Sequence, residues 1–259
     1  TAQWISDSLK KPIIDNYWQT ETGWPILGIA NGVEQKASKF GSPGIPMYGY
    51  NVKLLDDAGE ELHGGDQKGV VMAEGPLPPG CMQTIWHDDD RFVKTYWQKL
   101  NGKYIYSTFD LGVRDKDGYF FILGRTDDVI NVAGHRLGTR EIEEAISGHP
   151  NISEVAVVGV ADSLKGQVAV AFAVVKDASV LVDDAAHAKL EAEVMKVVDH
   201  SIGAVGRPAR VRFVNVLPKT RSGKLLRRAI QAVCEGRDTG DLTTMDDPAA
   251  LQQIRDLMA

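Results

Sequence analysis

The chain has 259 residues, 43% hydrophobic and 25% charged, with a formal net charge of -6 at pH 7. This is the composition of a folded globular protein of one large or two ordinary domains rather than a disordered chain, and its acidic balance argues against a phosphate-binding surface, so nucleic acid is not expected as a partner. Two distant cysteines, Cys81 and Cys234, argue against a disulfide framework or a zinc site and fit the reducing cytoplasm, and no apolar run reaches membrane-spanning length, so no membrane contact is expected.

The start, Thr1-Ala2-Gln3-Trp4, has neither an initiator Met nor the basic and apolar regions of a signal peptide. Motifs follow almost at once, so a piece of a longer protein is expected. Residues 50–125 read as short strands: Val52–Leu55, Gly69–Ala73, Lys103–Ser107 and Tyr119–Leu123. Asp115-Lys116-Asp117-Gly118 marks a hairpin turn, since Gly tolerates positive φ. From Thr139 the period becomes helical through Ile142, Ala145 and Ile146, with Thr139 as N-cap and Glu141 and Glu143 near the positive helix end. Val155–Val160 and Val168–Val175 are β-branched runs. A helix is predicted over Ala185–Ser201, a strand over Val211–Val216 and a last helix over Leu225–Cys234, with the acidic tail from Gly236 as surface wrapping. The change from β-rich to alternating helix and strand falls near Asp127.

Four segments carry candidate chemistry. In Asp15-Asn16-Tyr17-Trp18-Gln19-Thr20-Glu21-Thr22-Gly23, amides and hydroxyls suited to phosphate oxygens stand beside a carboxylate suited to Mg²⁺ and a Trp suited to walling an apolar pocket. A capped turn with Trp18 in the core is the plainer reading. Tyr106-Ser107-Thr108-Phe109-Asp110-Leu111-Gly112 places an Asp at a strand end, where a carboxylate can accept both hydroxyls of a ribose. Gly124–Arg136 is a polar stretch around a short apolar core at the domain change; it is either a strand and turn or a hinge, with Gly134 permitting close backbone approach. Pro218-Lys219-Thr220-Arg221-Ser222-Gly223-Lys224 is either an anion grip or a solvated basic loop. It is not a P-loop, because Pro218 stands where the first Gly is required and Leu225 follows the Lys.

In this order the four segments resemble the adenylate-forming superfamily. Within it they resemble the acyl-CoA synthetases of short-chain acids, whose signatures are a Trp-Gln-Thr-Glu-Thr-Gly loop, a strand-end Asp, a Gly-Arg-x-Asp-Asp hinge and a terminal Lys loop. Tyr17, Gly23-Trp24-Pro25-Ile26, Gly75–Gln83 and Gly236–Asp241 resemble the propionate-activating branch; acetate enzymes usually carry Trp where Tyr17 stands. The resemblance implies a mixed α+β chain: residues 1–126 as the β-rich C-terminal part of a large adenylation domain, and 127–259 as a small mobile α+β domain carrying the Lys loop, hinged at Asp127.

The implied reaction has two steps. A carboxylate attacks the α-phosphorus of Mg·ATP, giving acyl-AMP and pyrophosphate, and coenzyme A then displaces AMP. By the same matching Lys224 is catalytic, Asp110 binds the ribose hydroxyls, Arg125 the ribose region and Arg136 a phosphate. Gln19 and Thr20 meet the nucleotide and its phosphate, Asp15, Asn16 and Tyr17 border the adenine, Glu21 holds Mg²⁺, and Trp18 floors the acyl pocket. Gly134 and Ala133 line the coenzyme A channel. The family often has Thr where Asn16 stands. Its neutralisable Lys implies enzymes that acylate and deacylate Lys224. The Ser/Thr/Gly-rich phosphate loop of the family is absent, so the chain alone is expected to be inactive. Acetyl-CoA or another short-chain acyl-CoA synthetase is the near alternative, and a noncatalytic, weakly nucleotide-binding module the distant one.

Overall fold

The computed structural model describes residues 2–258, which divide into two compact units, one ending at Thr126 and the other beginning at Asp127. The first unit holds α1 (Ala2–Leu9), β1 (Leu27–Gly28), β2 (Ile45–Pro46), β3 (Asn51–Leu55), β4 (Gln67–Glu74), α2 (Asp89–Tyr96), β5 (Trp97–Leu100), β6 (Lys103–Arg114) and β7 (Phe120–Arg125). β3, β4, β6 and β5 form an antiparallel sheet in that order, β7 pairing with the far half of β6. Alternate side chains, Val52, Leu54, Val71, Ala73 and Tyr106, turn to one face and bury against Ile26, Leu27 and Phe120. The Asp115–Gly118 turn joins β6 to β7, with Gly118 N–H donating to Asp115 O at 3.1 Å and Asp115 Oδ1 accepting two further backbone N–H groups.

The β-rich half thus contains strands at the expected places, and two helices, α1 and α2, and a short strand, β5, that were not expected. α2 follows Asp88, whose carboxylate accepts the Arg91 N–H, and has Asp89 and Asp90 in its first turn. These are cap and dipole signals that the strand pattern obscures. A second correction concerns Asp110, which lies inside β6 rather than at a strand end. The register against β4 shifts between Ser107 and Asp110, Phe109 takes φ +59°, and Thr108 donates its hydroxyl to Val71 O at 2.7 Å while accepting the Asp110 N–H at 3.1 Å. The strand continues through a bulge that turns the Asp110 carboxylate.

The second unit holds β8 (Val129–Val132), β9 (His135–Gly138), α3 (Thr139–Ser147), β10 (Ile152–Asp162), β11 (Gly166–Val175), α4 (Asp184–Ser201), β12 (Arg210–Phe213), α5 (Arg227–Cys234) and α6 (Pro248–Met258). β10 pairs antiparallel with β11 along nearly its whole length, and β12 runs parallel to β11 on the other edge. Val155 and Val157 face α3 and α4 through Ile142, Ile146, Leu190, Val194 and Val198. Ala156 and Val158 face Ile230 of α5 and Ile254 of α6. Burial on both faces explains why these strands read as continuous apolar runs rather than alternating ones.

Four boundaries are corrected. The N-cap of α3 is Gly138, with Thr139 already helical, and Glu143 turns inward instead of serving the helix end. β12 stops at Phe213; beyond it the Asn215 N–H is taken by Gln253 Oε1 of α6 at 2.6 Å. α5 starts at Arg227, because Leu225 pairs with Lys219 and Leu226 N–H donates to Pro218 O. The tail is not mere wrapping: Asp247 caps a proline-initiated helix, accepting the Ala249 N–H at 2.8 Å, and Ala250, Leu251 and Ile254 of α6 are fully buried.

Candidate active site

In the first unit the Asp15–Gly23 segment is fixed at both ends. Tyr17 bridges to Leu27, and Thr22, wholly buried, closes a turn by accepting Gln19 N–H and donating to Gln19 O, both at 3.0 Å. This turn aims Gln19 at β6. Its Nε2 donates to Thr108 O at 2.7 Å and to Asp110 Oδ2 at 2.9 Å, while its Oε1 accepts the Tyr106 hydroxyl at 3.0 Å. The Tyr17 hydroxyl donates to the same Asp110 oxygen. Asp110 is only 8% exposed and faces Arg125 across the β6–β7 pair; Arg125 reaches Thr108 O and lies over the Phe109 ring.

Three tyrosines surround this carboxamide. Tyr96 of α2 stacks on Tyr106 at 5.8 Å between centroids and donates to Glu21 Oε1 at 3.1 Å. Burial, reinforced by the Asp110 charge, pushes the Tyr17 hydroxyl far above its ordinary value. Burial does the same for Tyr106, with the Glu21 charge next, and burial also raises the Tyr96 hydroxyl, with its hydrogen bond to Glu21 next. All three therefore keep their protons at neutral pH and act as donors that orient Asp110, Gln19 and Glu21, never as bases. Asp15, Asn16 and Thr20 are exposed, and Trp18 is 56% exposed. The structure thus joins Tyr17, Gln19, Asp110 and Arg125 in one network and leaves Asp15, Asn16, Trp18 and Thr20 outside it.

Glu21 presents hard carboxylate oxygens, which suit Mg²⁺, an ion held by one or two carboxylates together with phosphate oxygens rather than by an all-protein cage. Among the described residues no group of three or more His, Cys, Asp or Glu is placed to hold a metal.

In the second unit Ala133 and Gly134 form the two-residue turn between β8 and β9, with φ +49° and +86°. Both central residues have positive φ, as the twist of a two-residue hairpin favours. A Cβ at Gly134 meets nothing within 4 Å, so glycine is required here by backbone conformation, not by crowding. Arg136 is exposed on β9 opposite Asn131. Asp127 stands in the short 3₁₀ turn Thr126–Asp128 and accepts a hydrogen bond from Arg228 of α5.

Lys224 sits on a closed loop. Thr220 N–H donates to Lys224 O at 2.8 Å, Gly223 N–H to Thr220 O at 2.8 Å, and Lys224 N–H to Thr220 Oγ1 at 3.1 Å, with Gly223 at φ +85°. At the loop's base Lys219 forms an ion pair with Glu154 at 2.6 Å. The Lys224 side chain is exposed, and its ammonium has no ion-pair partner among the described residues. Immediately after the loop Arg227 clasps Glu143 through two hydrogen bonds of 2.9 and 2.7 Å; burial opposes the Arg227 charge but Glu143 outweighs it, raising the guanidinium further.

Sequence reasoning gave no role to Tyr96, Tyr106, Arg227 or Arg228, and gave Glu143 only a place at the helix end. The available signal was the pair Arg227-Arg228 directly after the Lys loop, since cations there need carboxylate partners.

Residues 141–224 match the family described as AMP-binding enzyme C-terminal domain. The propionate–CoA ligase of Escherichia coli is 64% identical over 259 residues, all of this chain and 41% of the relative. The acetyl-coenzyme A synthetase of Pyrobaculum arsenaticum is 41% identical over 239 residues, 92% of this chain and 34% of the relative. ATP-bound MatB from Rhodopseudomonas palustris shares the fold at TM-score 0.72, with 24% identity over 90% of this chain and 43% of that one. The chain spans about two fifths of the length of the curated ligase it matches end to end. By that match, and by the domain matched at 141–224, the chain belongs to the AMP-binding, adenylate-forming enzyme family.

Proposed function

We propose that this chain forms part of a cytoplasmic AMP-forming acyl-CoA ligase that converts propionate, ATP and coenzyme A to propionyl-CoA, AMP and pyrophosphate. The observation that carries the reading is the 64% identity to a propionate–CoA ligase along the entire chain, with Tyr17 in place of the Trp usual in acetate enzymes. In the first step a propionate oxygen attacks the α-phosphorus, the bond to the β-phosphate oxygen breaks and pyrophosphate leaves. In the second the coenzyme A thiol loses its proton and forms the thioester as the acyl–phosphate C–O bond breaks, releasing AMP.

In this reading the residues up to Thr126 belong to the large adenylation domain, and those from Asp127 form the small domain that turns about Asp127 between the steps. The Asp110 carboxylate accepts the ribose hydroxyls, aimed by Tyr17 and Gln19, and Arg125 borders the ribose. Gln19 and Thr20 meet the nucleotide and its phosphate, Asp15, Asn16 and Tyr17 the adenine, and Arg136 a phosphate. Trp18 floors the acyl pocket. Glu21, oriented by Tyr96, would hold Mg²⁺, which when bound offsets phosphate charge. Lys224 stabilises the negative charge that grows as carboxylate meets α-phosphate. Its exposed ammonium is also open to acylating and deacylating enzymes, and acylation would remove that charge.

The test is propionate-dependent ATP–pyrophosphate exchange, together with kcat/KM for propionate, acetate and butyrate. It uses a full-length enzyme in which this chain replaces the matching stretch of the E. coli relative. Propionate is expected to rank first; acetate ranking first would move the assignment to the acetate enzymes, and exchange absent with every acid would remove it. Ala133 and Gly134 are assigned to the coenzyme A channel. Gly134→Leu in the same enzyme is expected to leave the exchange reaction intact and block thioester formation from supplied propionyl-adenylate. Equal losses in both would point to backbone strain at φ +86° instead.

A further inference from the structure

The matched family segment ends at Lys224, yet the loop that ends there is held by residues that come after it. Arg221 N–H donates to Thr244 O at 3.1 Å, and Asp246 N–H donates back to Lys219 O at 2.9 Å, flanking a β-bridge between Thr220 and Met245. The outer edge of the Lys loop is therefore paired as a strand edge is. The pairing segment is itself anchored from below. The Met245 side chain, 8% exposed, packs with Ala229 of α5 and Leu251 of α6, and with Leu226, Val233 and Leu242 around them. Upstream of the loop, Gln253 of α6 accepts the Asn215 N–H at 2.6 Å, so α6 touches the chain where it leaves β12 as well.

The loop alone has few constraints. It makes its own closing bonds between Thr220 and Lys224, and its side chains from Arg221 to Lys224 are exposed. A long, flexible ammonium on a free loop would lose its placement to conformational entropy, whereas one on a paired edge keeps it. We propose that Leu242–Asp246, seated on α6, is a brace that sets the position of the Lys219–Lys224 loop. Met245 and Gln253 are then positioning residues for the step assigned to Lys224, a role that rests on the function proposed above.

Two measurements test this. In the 259-residue chain, Met245→Ala is expected to speed hydrogen exchange of the Arg221 amide by about tenfold or more, while the amides of β10 keep their protection. Met245→Leu, of similar volume, is expected to restore it. In the full-length enzyme described above, Met245→Ala is expected to lower kcat for propionate-dependent ATP–pyrophosphate exchange by about tenfold or more, with little change in KM. Thioester formation from supplied propionyl-adenylate should not change, because a misplaced catalytic group costs the step it serves. Faster loop exchange with unchanged adenylation would overturn the positioning role. So would equal loss of both half-reactions along with the melting temperature, which marks a merely structural tail. If Lys224→Ala kept full exchange activity, the functional reading would fail, while the Arg221 amide would still report whether the brace holds the loop.

Discussion

Lys224→Ala is expected to lower propionate-dependent ATP–pyrophosphate exchange by ~10²- to 10³-fold, the loss typical when a single charge-stabilising contact in a transition state is removed. Thioester formation from supplied propionyl-adenylate is expected to persist, since phosphoryl transfer is complete by then. The structure makes this a clean substitution. The ammonium is exposed and takes part in no ion pair among the described residues, and the loop closes through backbone groups and the Thr220 hydroxyl. Removing the side chain should therefore change stability by no more than about 0.5 kcal/mol, as for surface sites generally. An activity loss of that size then reflects chemistry rather than unfolding. Lys224→Arg keeps the charge but spreads it over a planar fork, so partial recovery is expected. Full exchange activity in Lys224→Ala would remove the assignment.

Much of the scaffold was legible because its signals are local. The β-branched runs of β10 and β11, the Asp115–Gly118 turn and the shift to helical spacing after Thr139 are each set by residues within a few positions of one another. The motif residues Tyr17, Gln19 and Asp110 were legible as chemistry but not as a network, because Gln19 and Asp110 are 91 residues apart and meet only through the sheet. The bulge at Phe109 was illegible for a different reason: Phe is a poor candidate for φ +59°, and it is Thr108, bonded to both Val71 and Asp110, that imposes it. α6 did carry a start signal in Asp247-Pro248, but the acidic residues before it outweighed Leu251 and Ile254, whose partners lie on α5 and β10 among others. The tail's hold on the Lys loop runs through backbone bonds and leaves no trace in residue type.

The clasp between Arg227 and Glu143 joins residues 84 positions apart and predicts the largest effect on stability. Glu143 Oε1 accepts both the Val157 N–H at 2.9 Å and Arg227 Nε, and the Glu143 side chain is 12% exposed against 25% for Arg227. Arg227→Ala would leave that carboxylate without its main cation, with Asp128 close enough to Arg227 to have shared it at 3.9 Å. Breaking a buried pair costs about 3–5 kcal/mol, and partial exposure places this one near the lower end, about 3 kcal/mol. With a urea slope of about 2 kcal/mol/M the midpoint should fall by roughly 1.5 M. The sequence supplies the means to localise the loss, since all five Trp and all seven Tyr precede residue 127. Tryptophan fluorescence should report an unshifted first unit, while far-UV ellipticity, to which α3–α6 contribute, shifts. Adding Glu143→Gln removes the stranded charge yet keeps an oxygen for the Val157 N–H, so the double variant is expected to recover more than half of the loss. A double variant no more stable than Arg227→Ala would assign the loss to the packing of the arginine stem against the unit rather than to the uncompensated carboxylate.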